Sequence, residues 1–331
     1  MADRLRLGVV GAGRIAETYI DVASEDDSVE LVAVADASAD ARAAAAARVE
    51  AATFGSTREM MAESDLDAAL VLVPPAAHEE IALELLAGGV HVLCEKPLAP
   101  TTAAAERMTQ AAAAADRQLV MASKFRFVPD MLEAQRLIAA EVIGAPTLFE
   151  CAFCSVVDMT GRWNSDPSVS GGGVVIDNGS HAVDIARMLL GPLERVLAQF
   201  APRIQPTTVE DTARVLFEAT SGCAGMIELS WSIARSAEHY VVVHGSGGEL
   251  QVGWRGSRYR QTGGAGWVDF GRGYDKRAAF AAQLQNFVGV VQGDQAPLVS
   301  CDDALASVQA VDAAYRSERS GAWVAVEGHG G

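Results

Sequence analysis

The chain of 331 residues carries 26 Lys+Arg against 43 Asp+Glu, a formal net charge of −17, with 50% hydrophobic and 21% charged residues. That length suggests two domains with ample chain for a core, and the balance is that of a folded protein rather than a disordered one. So acidic a chain repels phosphate backbones and anionic lipids at long range, which argues against nucleic-acid and peripheral-membrane roles, and no stretch reaches the roughly 18–20 apolar residues that span a bilayer. The short apolar run at 7–10 ends in Gly11-Ala12-Gly13 rather than in a signal-peptide cleavage pattern, so a cytoplasmic location is expected. Five cysteines do not suggest a disulfide framework in a chain of this length, and Cys151 and Cys154 form a lone CxxC with no second pair, so no metal site is expected.

In chain order, β-rich runs at 5–10, 31–35, 68–73, 90–94 and 119–122 alternate with helical patterns at 15–23, 39–49, 77–87 and 103–115. The runs are almost continuously apolar, as in a parallel sheet covered on both faces, and the alternation predicts βαβ units. After about residue 125 the pattern changes to longer β segments at 147–154, 213–219, 224–233 and 240–244, with turn clusters at 221–225 and 245–248. Helices are expected near 176–190, 277–292 and 303–317. The fold class predicted is α/β: an N-terminal doubly wound parallel sheet over 1–124, then an α+β domain over 125–331 with a large, mostly antiparallel open sheet. The helix at 303–317 is expected to pack back on the first domain, and the tail 328–331 to be loose.

Between the first run and the first helix lies Gly11-Ala12-Gly13-Arg14-Ile15-Ala16, a GxGxxA. Its first glycine permits the tight turn, its second lets the backbone approach a pyrophosphate, and the helix N-terminus offers unpaired N–H groups to the anion. The second run ends in Asp36, where a carboxylate can accept both ribose hydroxyls of an adenosine half. A bound dinucleotide follows, with Gly11, Gly13, Arg14, Ile15 and Asp36 as its contacts. The Asp36 carboxylate would repel a 2′-phosphate, so NAD is favoured over NADP, although Ser38 and Arg42 stand near enough in sequence to meet one. A plain N-cap for the second helix is the structural alternative for Asp36.

Three further segments stand out: Pro74-Pro75-Ala-Ala-His78 and Cys94-Glu95-Lys96-Pro97, each after a strand, and Gly171-Gly172-Gly173-Val-Val-Ile-Asp177-Asn178-Gly-Ser-His181-Ala-Val-Asp184. Open α/β sheets bind ligands at the carboxyl ends of their strands, where the first two lie. Asp177 and His181 are four apart and share a helix face, with Asp184 near it. A lysine, a carboxylate and an imidazole form a proton-transfer group suited to carbinol–carbonyl interconversion. His181 as a satisfied core histidine and Lys96 as a solvated lysine are the bland alternatives. For Asp184 a structural role, holding His181, weighs equally with a functional one.

Together the glycine turn, the Glu95-Lys96-Pro97 segment and the GGGxxxDxGxHxxD stretch resemble the Gfo/Idh/MocA family, named for glucose–fructose oxidoreductase and inositol dehydrogenase. The likeness covers nearly the whole chain. It implies an NAD(P)-dependent dehydrogenase or reductase acting on CH–OH groups, interconverting a ring carbinol and ketone on a cyclic polyol, sugar or sugar derivative. It places Lys96 at the nicotinamide ribose and the substrate hydroxyl, makes His181 the general acid/base, and gives Asp177 a share in binding the reacting oxygen; in some relatives the lysine carries the proton relay. Pro74, His78 and Glu95 join the cofactor-contact set, and Asn178 the substrate set.

Two departures bear on the substrate. Ser123-Lys124-Phe125-Arg126-Phe127-Val128-Pro129 is similar to the family's N-x-R-F-x-P, but Lys124 stands where Asn is common. Lys124, with Arg126 beside it in the substrate set, would meet an anionic group on the ligand or pair with Asp177. Trp163 would stack on a sugar ring or cover the domain interface. The fold also serves redox-silent dinucleotide-binding regulators and glycoside hydrolases that use transient oxidation, and both stand as alternatives. An apolar open sheet must be covered, so a homodimer or homotetramer through it is expected.

Overall fold

A computed structural model describes residues 4–235 and 237–327, so the tail at 328–331 lies outside the described residues. The first half runs β1 (Leu5–Val10), α1 (Arg14–Ser24), β2 (Val29–Ala35), α2 (Ala39–Ala46), β3 (Ala52–Phe54), α3 (Thr57–Glu63), β4 (Ala68–Val71), α4 (His78–Ala87), β5 (His91–Glu95), α5 (Thr102–Ala115) and β6 (Leu119–Ala122). It continues through α6 (Pro129–Ala139), β7 (Pro146–Cys154), the single turn α7 (Pro167–Ser170), α8 (Val174–Leu190), β8 (Leu193–Phe200), β9 (Thr212–Ala219) and β10 (Ala224–Ser230). The remainder is β11 (His239–Gly245), β12 (Gly248–Gly253), β13 (Ser257–Gln261), β14 (Val268–Gly271), α9 (Lys276–Gln292), α10 (Cys301–Ser320) and β15 (Val324–Ala325).

Two compact units result: the residues up to Lys124 with Lys276–Leu305, and Phe125–Asp275 with those from Ala306 onward. A single cut at 124/125 therefore does not describe the division, because α9 and the first turn of α10 group with the first unit.

The first unit is a parallel six-stranded sheet in the order β3-β2-β1-β4-β5-β6. Its central strand β4, Ala-Ala-Leu-Val, is buried at every residue, which is why the sequence shows no alternation there. Strand order reverses between β1 and β4, so the loops after these two strands flank the crevice where such sheets bind ligands.

The second unit is a nine-stranded sheet, β14-β13-β12-β11-β7-β10-β9-β8-β15, antiparallel throughout except where β10 runs parallel to β7. Helices α6 and α8 pack on one face of this sheet. Alternation is clear in β9, where Ala213, Val215 and Phe217 are buried and Arg214 is exposed. On the alternate positions Leu216, Met226 and Val242 are only half-buried and Leu148 is exposed.

Local chemistry moved several boundaries. The β run predicted at 224–233 stops at Ser230, whose hydroxyl accepts the N–H groups of Ser232 and Ile233 and turns the chain. The helix predicted at 39–49 ends at Ala46. Strands β3, β8 and β12–β14 and helices α3 and α6 have no counterpart in the sequence reading.

Candidate functional site

In the first unit Gly11 takes a φ of 93°, and a Cβ there would lie 2.8 Å from the Leu72 backbone, so only glycine fits between the ends of β1 and β4. Gly13 is the N-cap of α1 and supplies no side-chain cap, whereas Ser38, Ser56 and Thr101 cap α2, α3 and α5 through their hydroxyls. A Cβ on Gly13 would meet nothing within 4 Å. The Ala16 N–H donates to the Gly13 carbonyl at 2.9 Å, and the N–H groups of Arg14 and Ile15 ahead of it are placed to meet an anion such as a pyrophosphate. Arg14 is exposed and Ile15 half-buried at the start of this helix.

Asp36 does not cap α2; that role falls to Ser38. Its carboxylate accepts the Ala12 N–H at 2.7 Å and the Ser38 N–H at 2.8 Å, which holds it against the glycine loop. Arg42 donates to the carbonyl oxygens of Asp36 (2.6 Å) and Ala37 (3.1 Å). The hydroxyl and the guanidinium that stood as possible 2′-phosphate partners are thus both engaged locally. The open helix end, the glycine cradle and the carboxylate together fit a dinucleotide with a free ribose 2′-hydroxyl.

The loops after β4 and β5 are tied by His78, which has no solvent exposure. Its Nε2 lies 2.8 Å from the Val73 carbonyl, and its Nδ1 lies 3.0 Å from that of Pro97 and 3.3 Å from that of Leu98. Burial pushes this imidazole below its ordinary value, opposed by those carbonyl oxygens and the charge of Glu95. Pro74 immediately precedes the helical turn at Pro75–Ala77. At the end of β5, Glu95 accepts the Tyr19 hydroxyl at 3.0 Å and the Lys96 N–H at 3.0 Å. Gln283 of α9 in turn donates to the Tyr19 oxygen at 2.7 Å. Burial, then the Glu95 charge, raises the Tyr19 phenol well above its usual range, so it stays a donor. Tyr19 and Gln283 were not singled out from sequence, although Tyr19 falls on the buried stripe of α1, three residues past Ala16.

In the second unit, the triple glycine precedes α8. A Cβ on Gly173 would lie 2.0 Å from the Glu210 carbonyl oxygen, and one on Gly172 would lie 2.0 Å from the Tyr315 hydroxyl. Close approach explains these glycines: the Glu210 carboxylate accepts the N–H groups of Gly173 and Val175 at 3.0 and 3.1 Å, and the Tyr315 hydroxyl at 2.6 Å. Burial raises this carboxyl above the usual range despite those donors. Nothing local in sequence marks Glu210 as the cap of a helix that begins 36 residues earlier.

Helix α8 is buried along nearly its whole length; Asp177 and Asn178, in its first turns, are part-exposed. His181 lies one turn deeper, 7% exposed, edge-on to Phe125 with ring centroids 5.1 Å apart and 6.5 Å from Phe153. Phe125 stacks on Tyr274 at 5.2 Å, and Trp254 contacts Tyr240 at 4.6 Å and Phe153 at 5.9 Å. These rings form a wall that runs from His181 to the indole of Trp254, 39% exposed. Asp184 is 1% exposed; the buried Arg126 Nε–H donates to both of its carboxylate oxygens, Nη2 lies 2.7 Å from Oδ1, and the Ser307 hydroxyl is 3.4 Å away. Trp163 is 46% exposed on a short helical turn at Trp163–Ser165. Lys96 and Lys124 belong to the first unit, whereas Arg126, Trp163, Asp177, Asn178 and His181 belong to the second. Among the described residues no His/Cys/Asp/Glu group could hold a metal ion, and no helix is long and apolar enough to cross a membrane.

A glycine turn, an open helix end and a carboxylate at the end of the second strand of a parallel sheet define a dinucleotide-binding Rossmann protein. Residues 5–123 match the family model described as "Oxidoreductase family, NAD-binding Rossmann fold", and 131–251 match the "GFO/IDH/MocA C-terminal domain". The chain belongs to the GFO/IDH/MocA family of NAD-binding oxidoreductases. It is 27% identical to inositol 2-dehydrogenase 4 of Saccharopolyspora erythraea, over 98% of this chain and 96% of that protein. It is also 27% identical to the rhizopine catabolism protein MocA of Rhizobium meliloti, over 94% of each. Among solved structures, GenD2 from gentamicin A biosynthesis in complex with NAD superposes with a TM-score of 0.88 at 28% identity, covering 99% of this chain and 98% of that one.

Proposed function

We propose that the protein interconverts a ring carbinol and a ketone on a cyclic polyol, sugar or sugar derivative, with NAD as hydride carrier. The setting of His181 carries this reading: a ring nitrogen base against a packed aromatic cluster whose outer members, Trp254 and Tyr274, are part-exposed, one turn from the part-exposed Asp177 and Asn178. The C–H face of a saturated ring suits aromatic surfaces, and its hydroxyls need a few polar partners at one edge. The similarity to an inositol 2-dehydrogenase and to a protein of gentamicin A biosynthesis supports the same class.

When bound, the dinucleotide supplies the hydride acceptor. His181 takes the carbinol proton as the C=O bond forms, while Asp177 and Lys96 bind and polarise the reacting oxygen. Asn178, Lys124, Arg126 and Trp163 complete the substrate set by motif. Arg126 contributes from within its ion pair with Asp184, a position from which it acts by placing Phe125 and α8. Gly11, Gly13, Arg14, Ile15, Asp36, Pro74, His78 and Glu95 serve the cofactor, with His78 acting through the two loops it ties.

The test uses NADH deuterated at C4, incubated with the protein and oxidised ring polyols and sugars, with label followed by mass spectrometry. Deuterium appearing on one ring carbon, and lost with Lys96→Met and His181→Ala, is the expected result. Tight NADH binding without label transfer to any ring ketone would refute it.

The half-buried row of Leu216, Met226 and Val242 supports association of two copies through the outer face of the nine-stranded sheet. Light scattering after size exclusion should give a multiple of 34.6 kDa at micromolar protein. A monomer would overturn the association.

A further inference from the structure

Two aromatic residues of the wall sit outside the strands and have part of their surface exposed. Trp254 follows β12 in the connection to β13, and Tyr274 follows β14, just before α9. Short connections of this kind fray unless something anchors them. Between themselves they are joined by one backbone bond, the Tyr274 N–H donating to the Trp254 carbonyl at 3.1 Å.

Asp130 supplies the anchor. It lies in the first turn of α6, a placement the helix dipole favours, and is 4% exposed. Its carboxylate nevertheless has its bonds on other segments. It accepts the Ser257 hydroxyl at 2.5 Å, the Gly273 N–H at 2.8 Å and the Arg272 N–H at 3.2 Å. Ser257 lies three residues after Trp254, and Gly273 immediately precedes Tyr274. Gly273 has a φ of 92°, and a Cβ there would lie 2.5 Å from the Trp254 carbonyl oxygen, so the two connections touch backbone to backbone at this point. A residue acting only as a helix cap would bind its own first-turn N–H groups; this carboxylate reaches across to both connections. Hydrogen bonds to an ionised acceptor are about twice as strong as neutral ones, which suits a carboxylate to gathering donors from two loops.

We infer that Asp130 is a positioning residue for substrate: it staples the Trp254 and Tyr274 connections to α6 and so fixes the outer part of the aromatic wall over Phe125 and His181. The inference rests on the reading that this wall receives the substrate ring. It assigns Asp130 to neither proton transfer nor cofactor binding.

Asp130→Asn and the milder Ser257→Ala, each made with and without Trp254→Phe in the full chain with NADH bound, test it. Acrylamide quenching of Trp254, taken as the difference within each pair, should rise in both variants, more in Asp130→Asn. In turnover with myo-inositol as probe and NAD as the hydride acceptor, KM should rise about tenfold, the scale of one lost stacking contact, with kcat held within about twofold and NADH affinity unchanged. Unchanged Trp254 quenching in both variants overturns the inference, as does a parallel loss of kcat and NADH affinity in Ser257→Ala. If the wild type turns over no ring alcohol, the substrate reading fails, and the quenching comparison still decides whether Asp130 holds the wall.

Discussion

The buried pair of Arg126 and Asp184 can be priced from its geometry. The side chains are 8% and 1% exposed, and the guanidinium meets the carboxylate through Nε at 2.9 and 3.0 Å and through Nη2 at 2.7 Å. Asp184→Ala leaves a buried cation without this partner, a loss of about 3–5 kcal/mol. At roughly 2–4 °C per kcal/mol for a domain of this size, the second unit should melt about 10 °C lower. The assay is unambiguous as to unit, because the five tryptophans, at 163, 231, 254, 267 and 323, all lie in the second one. Their emission follows its unfolding even if the first unit melts separately. Replacing both partners, Arg126→Met with Asp184→Leu, should recover most of the loss, since a packed apolar pair costs far less than a lone buried charge. NADH affinity, a property of the first unit, should stay as in the wild type. A loss under about 1 kcal/mol in Asp184→Ala, or a double variant as unstable as the single one, would refute the claim that this pair pins α8 to the segment bearing Phe125.

Two other outcomes follow from charge alone. The Glu210 carboxyl is raised in the folded state by burial, so its contribution is greatest below the usual carboxylate range and falls as pH rises through the raised value. Glu210→Gln keeps an acceptor for Gly173, Val175 and Tyr315 without the charge; its melting temperature should gain on that of the wild type as pH is raised from 4 through 7, and parallel curves would contradict the burial argument. Asp36→Arg should shift the ratio of NAD to NADP affinity toward NADP by at least about tenfold, roughly 1.4 kcal/mol, measured by reduced-nucleotide fluorescence. An unchanged ratio would mean that the carboxylate does not face the ribose.

The nucleotide-binding half was legible because its chemistry is written in consecutive residues. A turn that needs Gly11 and an uncapped helix starting at Arg14 are properties of one βα connection, and the continuous burial of β4 removes the alternation that would have suggested any other sheet. Asp177 and His181 were legible for the same reason, being one helical turn apart on α8. What the sequence hid was short or irregular. Strand β3 has three residues, and β13 and β14 carry Arg, Gln and Gly among their apolar positions. Neither gives a periodic signal long enough to read.

The environment of His181 was illegible for a different reason. Phe125, Phe153, Tyr240, Trp254 and Tyr274 share no spacing; Phe125 and Tyr274 stack across 149 residues, and Phe153, Tyr240 and Trp254 meet because β7, β11 and β12 are neighbours in the sheet. Asp184 was readable as a residue of α8 but not as the partner of Arg126, 58 positions earlier. Local motifs therefore singled out the groups proposed to bind the dinucleotide and move the proton, whereas the aromatic surface proposed to receive the substrate is assembled from segments far apart in sequence. On the proposed assignment, a chain that kept Lys96, Asp177 and His181 while exchanging Trp254 or Tyr274 is expected to keep the reaction and change its substrate. The segments bearing those two rings are connections rather than strands, and such connections accept sequence change at little cost to the sheet beneath them.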